Sequence, residues 1–437
     1  MYPLNKQLIV FLLAVVPLVS FAQYAEVAPN YYTFPIRPNE SNLLSGNMGE
    51  LRSSHFHAGL DIKTGGREGL PVYAAAEGYI SRIRIGTGGY GNALYIQHPN
   101  GTSTVYAHLR DFIPDLAEYT LKAQYERKSF SVNLFPKRNE IPVERGQIIA
   151  YSGNSGSSSG PHLHFEIRGA RQEILDPLRV GFSEIKDDIA PDILRFALKA
   201  INKKSRINGQ FGRFEFPLPS GSAQIDYPDT IAVSGTIGLE LYAFDRLNRA
   251  PNRNGVPFID VYASNQLYFR QSIDSLLFSQ QKNILIHSNY QAQVETGRRY
   301  HKLYVEESNP LNIYPFQQKN GLFKISEGDI IPIRIIASDA YGNSSELQIV
   351  LKGVAPEAKI STGIDRKDGH YIQDNTLMVF REKVNENDLL TIYQQKGSRV
   401  VAPDYSDGQT NVYLIDLRSA LIKAVVDIHG TQKVFEF

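Results

Sequence analysis

Between Leu51 and Pro177 the apolar side chains fall in short alternating runs, among them "PVYAAAEGYISRIRI", "NALYIQH", "TSTVYAHL", "QIIAYSG" and "HLHFEIR", split by glycine-rich turns such as "GTGGYGN" and "HPNG". Period-two alternation with such punctuation predicts an antiparallel β domain over residues 51–180. One segment breaks the rhythm. In "PDLAEYTLKAQYERK" the apolar positions recur at helical spacing through Leu121 and Tyr125, and Asp115 with Glu118 three residues on reads as an N-cap box, so a helical insert is expected at about 114–128. Its expected role is packing.

Beyond residue 185 the alternating runs lengthen. "IGLELYAFDRLN" and "IIPIRIIASDAYGNSSELQIVL" each carry a strand into an Asp and Asn turn, which predicts β-sandwich (Ig-like) structure over 185–352 and a further β module over 353–437, with a boundary near "KGVAPEAKI". Asp245 with Asn248 and Asp339 with Asn343 are oxygen ligands of the kind calcium takes, but their expected role is turn formation through Asx hydrogen bonds. The fold class is therefore mainly β, with the helix as an insertion.

The chain opens on "MYPLNKQLIVFLLAVVPLVSFA", with one basic residue, an apolar core and small residues at Ser20 and Ala22. That is the pattern of a signal peptide over 1–22. The apolar run is shorter than the ~20 residues a membrane span needs and contains Pro17, so a permanent anchor is the weaker reading. Export to the periplasm, the cell envelope or the medium is expected, with no transmembrane span after cleavage. Residues 23–50, rich in Pro and Asn, read as an extended lead-in.

Composition narrows the chemistry. At 437 residues the chain exceeds one compact core. Lys plus Arg number 46 and Asp plus Glu 45, so a net charge of +1 offers no footprint for nucleic acid or a polybasic membrane contact. Cysteine is absent. Disulfides, thiolate nucleophiles, cysteine zinc sites and lipidation of an N-terminal cysteine are thereby excluded, and any metal must be held by His, Asp or Glu.

Two of only ten histidines stand one residue apart in "GPHLHFEIR". On a strand, His162, His164 and Glu166 share one face and Leu163, Phe165 and Ile167 the other. "HFHAGLDI" adds His57 and Asp61, which alone read equally as a ligand pair or as surface polars. "VYAHLRDF" adds His108, expected on the same strand face as Tyr106. Imidazole and carboxylate suit zinc, and a catalytic zinc commonly has three protein ligands with one position left for water.

Together, "HxGxD" (His57, Gly59, Asp61), "GYGNxxxIxHxNG" (89–101), "YxHL" (106–109) and "GxSxGPHLHFEIR" (156–168) resemble the LytM or lysostaphin-type zinc peptidases, over roughly residues 50–180. The resemblance implies their duplicated-hybrid-motif β fold and hydrolysis of peptide bonds in peptidoglycan. It implies that His57, Asp61 and His164 hold one Zn²⁺ per chain and that His108 and His162 are catalytic. His55 falls outside the pattern; His98 has a counterpart expected to be structural. Glu166 reads as a solvent-facing strand residue in preference to an orienting carboxylate. A non-catalytic LytM-like adaptor that activates another wall hydrolase is the alternative, disfavoured because all five site positions are filled. The β region after residue 180 lies outside the resemblance and is a candidate docking surface for a protein partner.

Overall fold

The computed structural model describes residues 30–355, 369–373, 376–382, 389–394, 397–406, 410–417, 421–428 and 431–436. The expected signal peptide, the first part of the lead-in and most of the "KGVAPEAKI" boundary lie outside the described residues.

The first region is a 12-stranded sheet. Its strands are β1 (Leu44–Gly46), β2 (Leu60–Lys63), β3 (Pro71–Tyr73), β4 (Gly78–Ile85), β5 (Asn92–Gln97), β6 (Ser103–Phe112), β7 (Val132–Leu134), β8 (Pro142–Val143), β9 (Ile148–Ser152), β10 (His162–Arg168) and β11 (Glu173–Leu175). The central order is β1-β2-β10-β6-β5-β4-β7, and every pair is antiparallel. Alternation holds along β10: Leu163, Phe165 and Ile167 enter one apolar core with Ile62, Tyr106 and Ile149, which frees the opposite face for polar chemistry.

The twelfth strand comes from far along the chain. Ser275–Leu277 pairs with β11 in the register Glu173↔Leu277, so the second region completes the first region's sheet. A shared apolar cluster seals this seam: Met48, Leu51, Phe56, Ala58 and Ile174 pack with Ile273, Leu276, Ile284, Leu311 and Ile313. The lead-in is also integral from residue 30 onward. Tyr32, Phe34, Ile36 and Leu44 are buried in the first core, and β1 pairs with β2.

Helix α1 (Pro114–Arg127) lies where the spacing predicts it, but with a different start. Its N-cap is Ile113 with no side-chain cap bond, Pro114 occupies the first turn, and Asp115 sits inside that turn. Proline preset at the helical φ replaces the capping box. Only Leu116 and Thr120 are buried, whereas Leu121 and Tyr125 are exposed.

Residues 192–353 form an 11-stranded sheet, led by Asp192–Ala200, the long Gln224–Phe244, Ile330–Ser338 and Ser344–Gly353. Gln224–Phe244 runs parallel to Ser344–Gly353, a pairing that hairpins alone cannot make. The C-terminal strands make two four-stranded sheets. Leu377 and Val379 pack with Leu390 and Ile392 of the facing sheet, while Met378 and Phe380 turn into the core of the 11-stranded sheet. Period two on one strand thus joins two cores.

Candidate active site

Antiparallel pairing of β2 with β10 sets His164 directly opposite Asp61. Just before β2 the backbones approach so closely that a Cβ on Gly59 would lie 2.2 Å from the Phe165 carbonyl oxygen. Glycine in "HxGxD" is therefore a packing requirement, and it draws His57 against β10.

His57 Nε2, His164 Nδ1 and Asp61 Oδ1 converge, with separations of 3.0 Å (His57 to Asp61), 2.9 Å (His164 to Asp61) and 3.2 Å (His57 to His164). The far side of each ring fixes its tautomer. His57 Nδ1 lies 2.7 Å from the Asn47 carbonyl oxygen, which only accepts, so the proton is on Nδ1 and Nε2 presents a lone pair. His164 Nε2 donates to Glu166 Oε1 at 2.8 Å, leaving Nδ1 to face inward. Two ring nitrogens and a carboxylate oxygen facing one point are the donor set of a cation. Ligands at zinc distances of ~2.0–2.1 Å in a tetrahedron stand about 3.3 Å apart, so the three atoms fit that ion with little movement.

Charge supports the same site. Burial alone would raise the Asp61 carboxyl, but His57, His162 and His164 hold it well below the usual carboxylate range. Its other oxygen accepts from Arg52 at 2.9 Å. Burial opposes a charge on His164, yet hydrogen bonds to Asp61 and Glu166 hold its pKa up at about 9, so a cation entering here takes the place of the proton between Nδ1 and Asp61. The site is built to carry positive charge where these rings meet.

Glu166 is 0% exposed, contrary to the solvent-facing reading. It accepts from His164, from Arg168 Nε at 2.6 Å and from the Tyr90 hydroxyl. Opposed to its burial, the Arg168 and His164 charges bring its carboxyl down to about 2.

His108 reaches the site by breaking alternation. Leu94 opposes Tyr106 while Asn92 opposes Leu109, so β6 carries an extra residue there, and His108 has φ +58°. Such a bulge re-aims a side chain. Tyr106 enters the core and hydrogen-bonds the Ala75 amide, whereas His108 turns to the opposite face, its ring 4.8 Å from that of His162. The expectation that Tyr106 and His108 share a face is therefore corrected. His108 Nδ1 donates to the Ser155 carbonyl at 2.8 Å and His162 Nδ1 to the Gly160 carbonyl at 2.8 Å, so both present Nε2 inward. Burial, then the neighbouring His164 and His162, bring His108 down to about 4, so it is neutral at neutral pH.

The two glycine-rich loops hold these rings by mutual contact. A Cβ on Gly156, at φ +76°, would lie 2.3 Å from the Gly91 nitrogen. His98 lies apart, bonded to the Glu77 carbonyl and Thr104. His55 lines the groove but not the converging triad.

The five residues open on a groove of about 1280 Å³. Ser45, Glu50 and Arg52 line one part, and Asn252, Arg253, Phe278, Gln281 and Lys282 of the second region line another. Asn47 ties the two regions together, donating to the Gly255 carbonyl at 3.0 Å and accepting from the Gly255 amide at 2.8 Å. Sequence reasoning missed Arg52, Asn47 and these distal residues, whose contacts have no local pattern. Tyr90 and Arg168 stood inside quoted motifs, but their link through Glu166 appears only once the strands pair.

A family model for Peptidase family M23 matches residues 55–116 and 129–177; the gap coincides with most of α1. The chain is similar to DD-carboxypeptidase/endopeptidase Mpg of Neisseria meningitidis serogroup B, 35% identical over 118 residues, 27% of this chain and 21% of that protein. The chain thus spans only 21% of that relative's length. Lipoprotein NlpD of Yersinia enterocolitica is 30% identical over 114 residues, 26% of this chain and 92% of that sequence. Among solved structures, the catalytic domain of the antimicrobial peptidase lysostaphin from Staphylococcus simulans is 24% identical, covering 32% of this chain and 90% of that one with a TM-score of 0.23.

Proposed function

This chain belongs to peptidase family M23, and from that membership we propose that it is an exported zinc metalloendopeptidase of the bacterial envelope that cuts peptide bonds in peptidoglycan. The observation that carries the reading is the convergence of His57 Nε2, His164 Nδ1 and Asp61 Oδ1, each within 3.2 Å of the others, beside two further imidazoles in an open groove. In this reading His57, Asp61 and His164 hold one zinc ion. Zinc bound there supplies Lewis acidity and a more acidic water.

The protein's own residues do the rest. His108, neutral because it is buried, offers Nε2 to accept a proton from the attacking water, and its Nδ1–H bond to Ser155 fixes the ring's direction. His162, anchored through Nδ1 to Gly160, is the second imidazole; carrying a proton on Nε2 as well, it would donate to the scissile carbonyl oxygen as negative charge develops there. Once protonated, the accepting imidazole returns its proton to the leaving amine. Arg52 and Asn47 keep Asp61 and His57 in place. Among the described residues no helix is long and apolar enough to cross a membrane.

The activity in the name of the Neisseria relative directs the first substrate: DD-cross-linked stem peptides. The test measures zinc content and soluble fragments released from purified peptidoglycan, with new termini read by mass spectrometry. His164→Ala is expected to lose both zinc and activity; His162→Ala is expected to keep zinc and lose activity. Equal zinc loss in both would overturn the division of roles. A wild type that stays inert when loaded with zinc would favour the adaptor reading.

A further inference from the structure

A second group of metal-type ligands lies at the junction between the first sheet and the 11-stranded sheet. Asp187, Asp245 and Asp339 each offer a carboxylate oxygen, and these atoms lie within 4.8 Å of one another. They come from three places in the sequence. Asp187 is in the linker between the turn Pro177–Val180 and the strand Asp192–Ala200; Asp245 directly follows Gln224–Phe244; Asp339 directly follows Ile330–Ser338.

Turn formation accounts for Asp339 but not for the group. Asp339 Oδ1 accepts from the amides of Tyr341 (2.8 Å) and Asn343 (2.9 Å), and Oδ2 accepts from the Asn343 side chain at 2.8 Å. Asp187 Oδ1 accepts from the Ile189 amide at 3.2 Å. Asp245 is only 2% exposed, yet its Oδ1 has no hydrogen-bond partner among the described residues, nor has the buried Oδ2 of Asp187. None of the three is ion-paired to Lys or Arg among the described residues; Arg246, beside Asp245, is committed to Asp192.

A separate observation points into the same place. Asn254 is 2% exposed, and neither its side-chain oxygen nor its nitrogen has a partner among the described residues. It faces Asp245 across an antiparallel bridge closed by two backbone hydrogen bonds, of 3.0 and 2.8 Å. Residues directly opposed in this way send their side chains to the same side. A buried amide with nothing to bond, beside a buried carboxylate with nothing to bond, is an incomplete shell of oxygen donors.

We propose that Asp187, Asp245 and Asp339, with the side-chain oxygen of Asn254, bind one calcium ion that fastens the linker to two strand ends of the 11-stranded sheet. The ligand set is all oxygen and contains three carboxylates, which suits a hard divalent cation and not zinc. Calcium accepts six to eight oxygens in flexible geometry, which suits carboxylates brought from three separate segments, whereas Mg²⁺ demands a near-ideal octahedron and keeps several waters. Burial, reinforced by the neighbouring carboxylates, pushes Asp187 to about 7 and Asp245 to about 8. Raised this far, these carboxyls hold protons near neutral pH, which a cation entering the cluster would displace.

The ion has a structural consequence for the groove. The segment from Asp245 to Asn254 carries Asn252 and Arg253 to the groove wall, and Asn343 and Tyr341 already bond the Asp187 and Ile185 carbonyls. Calcium would close both ends of that loop against the linker.

The test is calorimetric titration of the zinc-loaded full chain with CaCl₂, alongside its thermal midpoint. The expected result is one calcium per chain with Kd below about 1 mM, within the range of extracellular oxygen-ligand sites, and a midpoint that rises with calcium and saturates. Asp245→Asn and Asp187→Asn should each weaken binding at least about tenfold. Asp187 is half-buried, so its variant keeps the test open if Asp245→Asn fails to fold. No heat and no midpoint shift at about 10 mM calcium would overturn the proposal, as would unchanged affinity in a folded variant. An equal response to magnesium would overturn the assignment of calcium.

Discussion

Glu166→Gln is the sharpest probe of how the candidate metal centre is supported. The carboxylate is fully buried, and Arg168, 4% exposed, points Nε at it from 2.6 Å. Removing one partner of a buried ion pair costs about 3–5 kcal/mol because the remaining charge stays desolvated. Arg168 retains bonds to Tyr90 at 3.2 Å and Gln172 at 3.3 Å, and lies over the Phe278 ring at 4.2 Å, which places the expected cost near the lower end, about 3 kcal/mol. Gln still accepts from His164 Nε2–H, so the tautomer survives, but the basicity that a carboxylate lends the imidazole is lost. Outer partners of this kind change metal affinity by about 10–100-fold. The assays are urea unfolding of the zinc-loaded and zinc-free protein, and competition for zinc with a chelator of known affinity. In the double variant Glu166→Gln, Arg168→Met the orphaned charge is gone, so at least about 1 kcal/mol should return. A single variant that loses less than about 1 kcal/mol and binds zinc as the wild type does would refute the reasoning.

The other predictions concern the scaffold. Gly156→Ala meets both a left-handed backbone and the Gly91 nitrogen, so it should cost at least about 2 kcal/mol and reduce turnover through His108; wild-type unfolding and activity would show that the loops do not interlock. Asn47→Ala removes two hydrogen bonds to Gly255 and should cost about 1–3 kcal/mol while lowering activity, the failure being unchanged urea midpoint and rate. His287 and His301, 3.1 Å apart, are fully buried; burial brings His301 to about 4, and burial with the charges of His301 and Lys302 brings His287 well below its usual value. Between pH ~6.5 and ~4 the unfolded chain binds more protons, so stability is full above pH ~6.5 and falls as pH drops through that window, by about 3 kcal/mol for His301 alone. His301→Gln should flatten that slope in urea midpoints measured at several pH values, and an unchanged slope would count against it.

What could be read from the chain was local. Strand alternation assigned the faces of β10, because Leu163, Phe165 and Ile167 reach the core by period two alone. The same rule misled at His108, where one extra residue in β6 and φ +58° reverse the face; no residue type in "VYAHLRDF" marks that bulge. Glu166 was misjudged for a related reason. A charged residue on a strand is usually solvated, and the partners that bury this one, Tyr90 and Arg168, are assembled by pairings 76 and 2 residues away in sequence.

The groove makes the limit of local reading concrete. Motifs between residues 55 and 177 carry all five candidate site residues, but a substrate would also meet Asn252, Arg253 and Phe278, none of which belongs to a motif. They arrive because Ser275–Leu277 joins β11 and because Asn47 clasps Gly255. Asn47 links the two levels directly: its carbonyl orients His57, while its side chain holds the second region. Movement at the seam therefore reaches a candidate zinc ligand through one residue. The 11-stranded sheet is part of the site's support as well as its wall, because the loop that lines the groove leaves it at Asp245 and is closed there by the Asp245–Asn254 bridge.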